Sequence, residues 1–316
     1  MQLNHTIKLR RSVLQTLAYF GALQTPITLS QVGRYLIGSD ISSLHSIINT
    51  LNALQKEGMV EKQKGLYWLK ILDAKNHKNQ WLSFIQKEKI AQKKLNMVRK
   101  ATKIIRFIPG IRGLFICGSV ARKVCLKKSD IDFFIIAKKS RVWTIRFFIT
   151  LVSVLLGKKT NDSKPRNNKF CLNHFRSDEK PTLEKYLQDL YSAQEYSRMI
   201  NICSDGDIEN QFFEKNKNWM AKHVPNFHLA KPALVYNSHL IAINNHKIRN
   251  IIKKFGDMLE ELLKYLQTAK ILKSSQQFTG LDNRRIVTDN EVIMFHLNPR
   301  APEVLSKYQR IIAKVR

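Results

Sequence analysis

Glycine and proline are scarce, 12 and 8 in 316 residues, so neither a collagen-like repeat nor a low-complexity linker accounts for the chain. Acidic side chains are scarce too: 24 Asp and Glu stand against 54 Lys and Arg, a net charge of +30 that excludes the acidic, solvating class of chain. The four cysteines, Cys117, Cys125, Cys171 and Cys203, form no C-x-x-C pair and no small-domain spacing. Neither a disulfide framework nor a zinc site is indicated, and reduced thiols are expected. The opening residues, MQLNHTIKLRRSVLQ, lack the apolar run and small-residue cleavage site of a secretory signal, so the expectation is a cytoplasmic protein. The uncharged stretch from Phe147 to Gly157 is about half of the ~20 residues that a membrane span needs. It is expected to be a helix buried on a sheet, although its basic flanks, Arg146, Lys158 and Lys159, leave contact with a membrane interface open.

What is present is enough for a core: 44% of the residues are apolar, and the length suits about two domains at ~150 residues each. The positive charge is uneven. Residues 1–110 carry 18 basic and 5 acidic side chains (+13), residues 111–180 carry 16 and 5 (+11), and residues 181–316 carry 20 and 14 (+6). A field of that sign attracts polyanions, either nucleic acid or the phosphates of a nucleotide.

The first 72 residues read as a winged helix-turn-helix. Leu9, Val13, Leu14 and Leu17 repeat at helical spacing, and Thr28-Leu29-Ser30-Gln31 has the form of a capping box opening a short helix. A third apolar face runs from Ile41 through Leu54, with Gly58 placed to end the helix, and two short extended runs follow around Lys64-Gly65. The exposed side of the third helix, including Ser43, His45, Ser46, Asn49 and Asn52, is polar but uncharged, a thin basis for gripping a phosphate backbone. Residues 73–110 follow as a connecting helix whose Trp81, Phe84, Leu95, Val98 and Ile105 share one face. Its Lys87, Lys89, Lys93, Lys94, Lys100 and Lys103 read as a solvated surface or a track for phosphates. Pro109-Gly110 marks a boundary.

From Gly113 the pattern changes to a strand, Leu114 to Cys117, then Gly118-Ser119, a short helical stretch from Val120, and a second strand, Ser129 to Ile136. Side chains alternate across a strand, so Asp130 and Asp132 point to one face while Ile131 and Phe133 point to the other. Two carboxylates held side by side repel unless a cation sits between them, and Mg²⁺ in that gap can bridge phosphate oxygens. Gly118 lets backbone approach a phosphate, and Ser119 offers N–H and hydroxyl groups to an anion. Gly118-Ser119 and Asp130-Ile131-Asp132, each attached to an apolar strand, resemble the signature of the DNA polymerase beta-like nucleotidyltransferase superfamily. More loosely, the layout with Arg141-Val142-Trp143 and Asn218-Trp219 resembles uncharacterised bacterial proteins that join a winged helix to this domain.

The resemblance implies an α/β (α+β) fold: an N-terminal winged helix at 1–72, a mixed-sheet nucleotidyltransferase core at 111–180, and a helical C-terminal domain at 181–316 ending in a short strand pair. It implies Gly118 and Ser119 as the phosphate turn, Asp130 and Asp132 as ligands of Mg²⁺, and an NTP as substrate. The superfamily's usual third carboxylate has no counterpart between Lys169 and Phe175, where Asn173 is the nearest polar candidate ligand and His174 falls on the other face if Asn173 faces the site. Arg122 and Lys123 are placed to touch the β- and γ-phosphates, Arg141 and Arg146 are expected on the same side of the sheet, and the basic loop Lys158–Lys169 is composed to close over a substrate. Trp219 and Phe227 read as core, and His223 with His228 as no metal site. Two readings stay open. One is a Mg²⁺-dependent enzyme moving an NMP onto a hydroxyl of an RNA, a protein or a small molecule. The other is a winged-helix regulator that binds DNA or RNA and whose nucleotidyltransferase domain senses nucleotide without catalysis.

Overall fold

The computed structural model describes residues 2–38, 42–72, 77–159, 167–227, 233–237, 246–275, 286–295 and 300–315. Ile41, His228, most of the loop Lys158–Lys169, and Arg284, Arg285 and His296 of the expected late hairpin lie outside them.

The first 72 residues gather around a core that residues from later in the chain, Val304 and Tyr308 among them, help to complete. Helix α1 (Gln2–Ala22) buries Leu9, Val13 and Leu17. Strand β1 (Ile27–Thr28) leads into α2 (Leu29–Arg34) through the capping box: the Gln31 amide donates to the Thr28 hydroxyl, and the Thr28 amide donates to Gln31 Oε1. Helix α3 (Leu44–Lys56) buries Ile47, Leu51 and Leu54 and ends before Gly58, which takes φ +74°. Strands β2 (Val60–Gln63) and β3 (Leu66–Leu69) meet at Lys64-Gly65. Both turn residues have positive φ, as a tight hairpin requires. Strand β3 lies between β1 and β2.

The rest of the chain forms a mixed α/β layer structure. Its elements are α4 (His77–Ile105), β4 (Ile111–Ile116), α5 (Gly118–Ala121), β5 (Ile131–Ala137), α6 (Val142–Leu155), β6 (Phe170–Cys171), β7 (His174–Ser177) and α7 (Leu190–Tyr196). They continue with β8 (Ile200–Ser204), α8 (Ile208–His223), β9 (Ala233–Asn237), α9 (His246–Ser275), β10 (Ile286–Thr288), β11 (Val292–Phe295) and α10 (Ala301–Val315). The strands join in one sheet of order β10-β11-β7-β5-β4-β8-β9, with β6 also on β5. Strands β4 and β5 are antiparallel, whereas β6 and β7 run parallel to β5.

The two faces of β5 separate as alternation demands. Ile131, Phe133 and Ile135 join Leu114 and Ile116 under α4, α6 and α9. Phe134 and Ile136 join Phe115 under α7 and α8, where Tyr196, Phe212 and Trp219 complete a second core.

Beyond residue 181 the chain supplies more strands than the expected terminal pair, which is β10–β11. Strand β8 extends the sheet beyond β4, and the hairpin β10–β11 extends it beyond β7. The sequence hides β8 because Ile200, Asn201, Ile202 and Cys203 are all buried, which removes the alternation of a half-exposed strand. Helix α10 returns to the start of the chain, packing Val304 and Tyr308 on α1, with the Tyr308 ring edge-on to Tyr19. Arg198 completes this junction: it is buried, stacks on Phe20 and Tyr35, and burial pulls its pKa down to about 10.

Helix α6 departs from expectation in one respect. Trp143, Ile145 and Ile149 are buried on the sheet, but Phe147, Leu151 and Leu155 face outward, so the apolar stretch is covered along one side only.

Candidate active site

Strand β4 ends at Ile116, and the chain turns through Cys117 and Gly118 toward β5. The Cys117 amide donates to the Asp132 carbonyl (3.0 Å), fixing the turn against the strand. Gly118 adopts φ +67°, and a Cβ built on it would lie 2.1 Å from Asp132 Oδ2. Only a residue without a side chain fits there, because the Asp132 carboxylate occupies the space. Asp130 lies just before β5 and Asp132 within it. An oxygen from each and the Cys171 Sγ lie within 4.8 Å of one another. Gly118, Asp130 and Asp132 therefore come together, as the spacing predicts. Helix α5 is a single turn, so any anion held at Ser119 relies on local N–H groups rather than on a macrodipole.

Cys171 is the residue that the sequence reading passed over. It pairs with Asp132 in the parallel β5–β6 register and hydrogen-bonds to its carboxylate. The pairing then slips by one residue: Asp132 faces Cys171, but Ile135 faces Phe175. Asn173 sits at this slip, between β6 and β7. The slip also turns His174 onto the Phe134 face, which is the Asp132 face, contrary to the simple alternation. The His174 ring lies 4.7 Å from that of Phe134, and its Nδ1 is 3.2 Å from the Tyr196 hydroxyl. It is buried among aromatics, a structural position.

Electrostatics set the two aspartates against each other. The Asp132 carboxyl is pushed up to about 6, first by burial and then by the Asp130 charge; the Arg122 guanidinium, the Cys171 hydrogen bond and Arg300 pull the other way. A divalent ion would offset that repulsion. Two carboxylates and a thiol, with the Gly118 backbone pressed against one carboxylate, fit such an ion. The thiol shifts preference from Mg²⁺ toward softer divalent metals. Cys117 is no competitor, since burial and Asp132 push its thiol far above neutral pH.

The surrounding cations fall into different places from those expected. Arg122 is buried and ion-paired with Glu195 of α7, close enough to act on Asp132. Lys123 reaches Glu88 (2.9 Å). Arg141 and Arg146 are on the opposite side of the sheet from the aspartates, because α6 covers the Ile131–Phe133 face. Arg141 pairs with Asp257, and Arg146 donates to Gln267 Oε1 (2.6 Å). Lys94 is not part of a solvated field: its side chain is 1 % exposed, and its ammonium donates to the Lys127 and Ser129 carbonyls (3.2 and 2.6 Å) and to Asn168 Oδ1 (2.9 Å). It ties down the loop that delivers Asp130. Its signal was its place on the stripe Ala91, Leu95, Val98, Ala101. Arg300, exposed just before α10, is the other missed cation, brought near Asp132 by the return of the chain. A surface cleft lined by Asp178, Asp207 and Lys215 lies at the far end of these strands and adds nothing to the site.

Residues 98–192 match the nucleotidyltransferase domain family. The matched nucleotidyltransferase segment holds the Gly118 turn, both aspartates and Cys171, and it supports transfer of an NMP as the general activity with an NTP as substrate. Comparison with curated proteins and with solved structures gave no significant match. Among the described residues no helix is long and apolar enough to cross a membrane.

Proposed function

We propose that the chain is a metal-dependent nucleotidyltransferase that moves an NMP from an NTP to a hydroxyl acceptor, with Asp130, Asp132 and Cys171 as the ligand set and Gly118-Ser119 as the phosphate turn. The observation that carries this is the fit of Gly118 against the Asp132 carboxylate. It supports the reading because a metal-bound triphosphate needs close-packed turn backbone beside two converging carboxylates.

In such a transfer the acceptor hydroxyl gives its proton to water, its oxygen attacks the α-phosphorus in line, the bond from that phosphorus to the bridging oxygen breaks, and pyrophosphate leaves. A divalent ion held by Asp130, Asp132 and Cys171 would supply charge neutralisation of the phosphates. The chain's own residues do the positioning. Lys94 and the β4–β5 pairing fix Asp130 and Asp132. Arg122, held by Glu195, supports the ionised form of Asp132. Arg300 offers an exposed guanidinium to the phosphates. Asn173, at the slip beyond Cys171, would add an amide ligand. Mg²⁺ serves as the physiological ion in this reading, with a softer ion accepted through the thiol.

The N-terminal elements fit a winged helix in order and strand pairing, and with the basic surface they favour RNA as acceptor over a small molecule. The test is incubation with labelled NTPs and candidate acceptors in Mg²⁺ or Mn²⁺. Transfer that depends on Asp132 supports the reading; transfer that survives Asp132→Ala sinks it. A second reading, a nucleotide-sensing regulator, draws on one observation: among the described residues the cluster has a thiol where the superfamily has a third carboxylate. It predicts nucleotide binding without turnover in any metal.

A further inference from the structure

The α6 and α9 helices lie side by side on the sheet face opposite the aspartates, and both turn apolar side chains away from the protein. On α6 these are Phe147, Leu151 and Leu155, at i, i+4 and i+8; on α9 they are Leu262, Tyr265 and Leu266. Leu155 is 76 % exposed and Tyr265 74 %. Scattered surface leucines need no explanation, but two neighbouring helices that each turn an apolar stripe outward expose more apolar area than scattered residues do.

Its rim is cationic. At the C-terminal ends of both helices Lys159 and Lys270 bring their ammonium groups together, and Arg146 adds to the repulsion there. Two like charges held in contact are stabilised by an anion. Lys158 reaches Met97 of α4 (3.8 Å), whose exposed side carries Lys93, Lys100 and Lys103. The exposed acids of α9, Asp257 and Glu261, lie near its middle, Asp257 against Arg141.

We propose that this face docks on an anionic lipid surface, the apolar stripes entering the interface and the lysines meeting headgroup phosphates. Apolar area bordered by lysine is the pattern that binds such surfaces without spanning them. A second copy of the chain is a poorer occupant, since self-association would bring two lysine rims and two charges of +30 together. The proposal does not rest on the transferase chemistry, which lies on the other face.

The experiment is vesicle flotation of the full chain with phosphatidylcholine alone and with phosphatidylcholine mixed with phosphatidylglycerol, at low and high salt. The expected result is flotation with the mixed vesicles only, part of it resistant to salt. The variant Leu151→Gln/Leu155→Gln/Tyr265→Ser should bind about ten-fold more weakly at high salt, from the apolar area removed. Lys159→Gln/Lys270→Gln should weaken binding at low salt and keep the salt-resistant part. Thermal melts of both variants, expected to match the parent because the altered side chains are exposed, show that each is folded. Flotation of the triple variant equal to the parent's would reduce the binding to bulk charge and overturn the proposal. So would no flotation of the parent, or a dimer in sedimentation that the triple variant abolishes.

Discussion

Replacing Asp132 by Asn should stabilise the metal-free protein while abolishing its activity. The Asp132 carboxyl is raised from 3.8 to about 6, by burial first and the Asp130 charge second. A carboxyl whose folded-state pKa lies above its unfolded one makes folding less favourable as pH rises through that interval. In the unfolded chain it ionises freely near pH 4, whereas in the folded chain it ionises against its surroundings. The rise of about two units corresponds to at most ~3 kcal/mol, since one unit is ~1.4 kcal/mol, and sharing with Asp130 brings the expected range to about 1–3 kcal/mol.

The amide has the same shape and no charge, so Asp132→Asn should gain nothing near pH 4 and the full amount above about pH 7. At ~2 °C per kcal/mol for a chain of this size, thermal melts in chelator at pH 7.5 should move up by about 2–6 °C, and the difference from the parent should shrink as pH falls through 6 toward 4. Added Mn²⁺ should reverse the order, raising the parent's melting temperature and leaving the variant's unchanged. A variant that melts below the parent at pH 7.5 in chelator would refute the argument, because it would mean that Asp132 forms a net favourable interaction without any ion. Site residues that cost stability are the usual signature of a binding site, and this residue is the strongest candidate for one here.

Cys171→Asp should restore an all-oxygen ligand set and raise turnover in Mg²⁺ relative to Mn²⁺, read as the ratio of initial rates in the two ions; an unchanged ratio would show that residue 171 does not meet the metal. Gly118→Ala forces a Cβ onto the Asp132 carboxylate at positive φ, so activity should fall by about 100-fold or more with a stability loss of only ~1–3 kcal/mol, measured by assay and urea melts. Lys94→Met leaves the carbonyls of Lys127 and Ser129 and the Asn168 amide oxygen without their shared donor, at a cost of about 2–4 kcal/mol, and should weaken Mn²⁺ binding measured by calorimetry although Lys94 touches no ligand itself. Arg300→Ala should raise the KM for NTP several-fold with little change in stability, since the side chain is exposed.

Local rules were enough to read the Thr28–Gln31 cap, the Lys64-Gly65 turn and the convergence of Asp130 and Asp132, because each depends on residues within a few positions of one another. What they missed depends on pairing between distant segments. Cys171 becomes a ligand candidate only once β6 lies parallel to β5, and His174 changes face only because the pairing slips by one residue after Cys171. Lys94 was misread for a related reason: a lysine among lysines looks solvated, and only the carbonyls of a loop 33 and 35 residues away reveal why this one is buried. Strand β8 lost its alternation by being covered on both faces.

Arg300 illustrates the same dependence at the scale of the whole chain. Helix α10, which it precedes, packs Tyr308 on Tyr19 of α1, while Arg300 itself stands in electrostatic reach of Asp132. One short segment therefore packs on the N-terminal module and lies within electrostatic reach of the candidate site. Any ligand that moves α1 against α10 also moves a guanidinium whose charge acts on Asp132. A polyanion bound by the first 72 residues would then alter affinity for NTP with no contact to it, provided the α1–α10 packing differs between the bound and free states. Arg300→Ala removes that link without disturbing the packing of Tyr308. If coupling exists, the variant should bind RNA as the parent does yet lose any effect of RNA on the KM for NTP. If the effect of RNA survives in the variant, the route runs elsewhere, and the junction at Arg198, stacked between Phe20 and Tyr35, is the next contact to break.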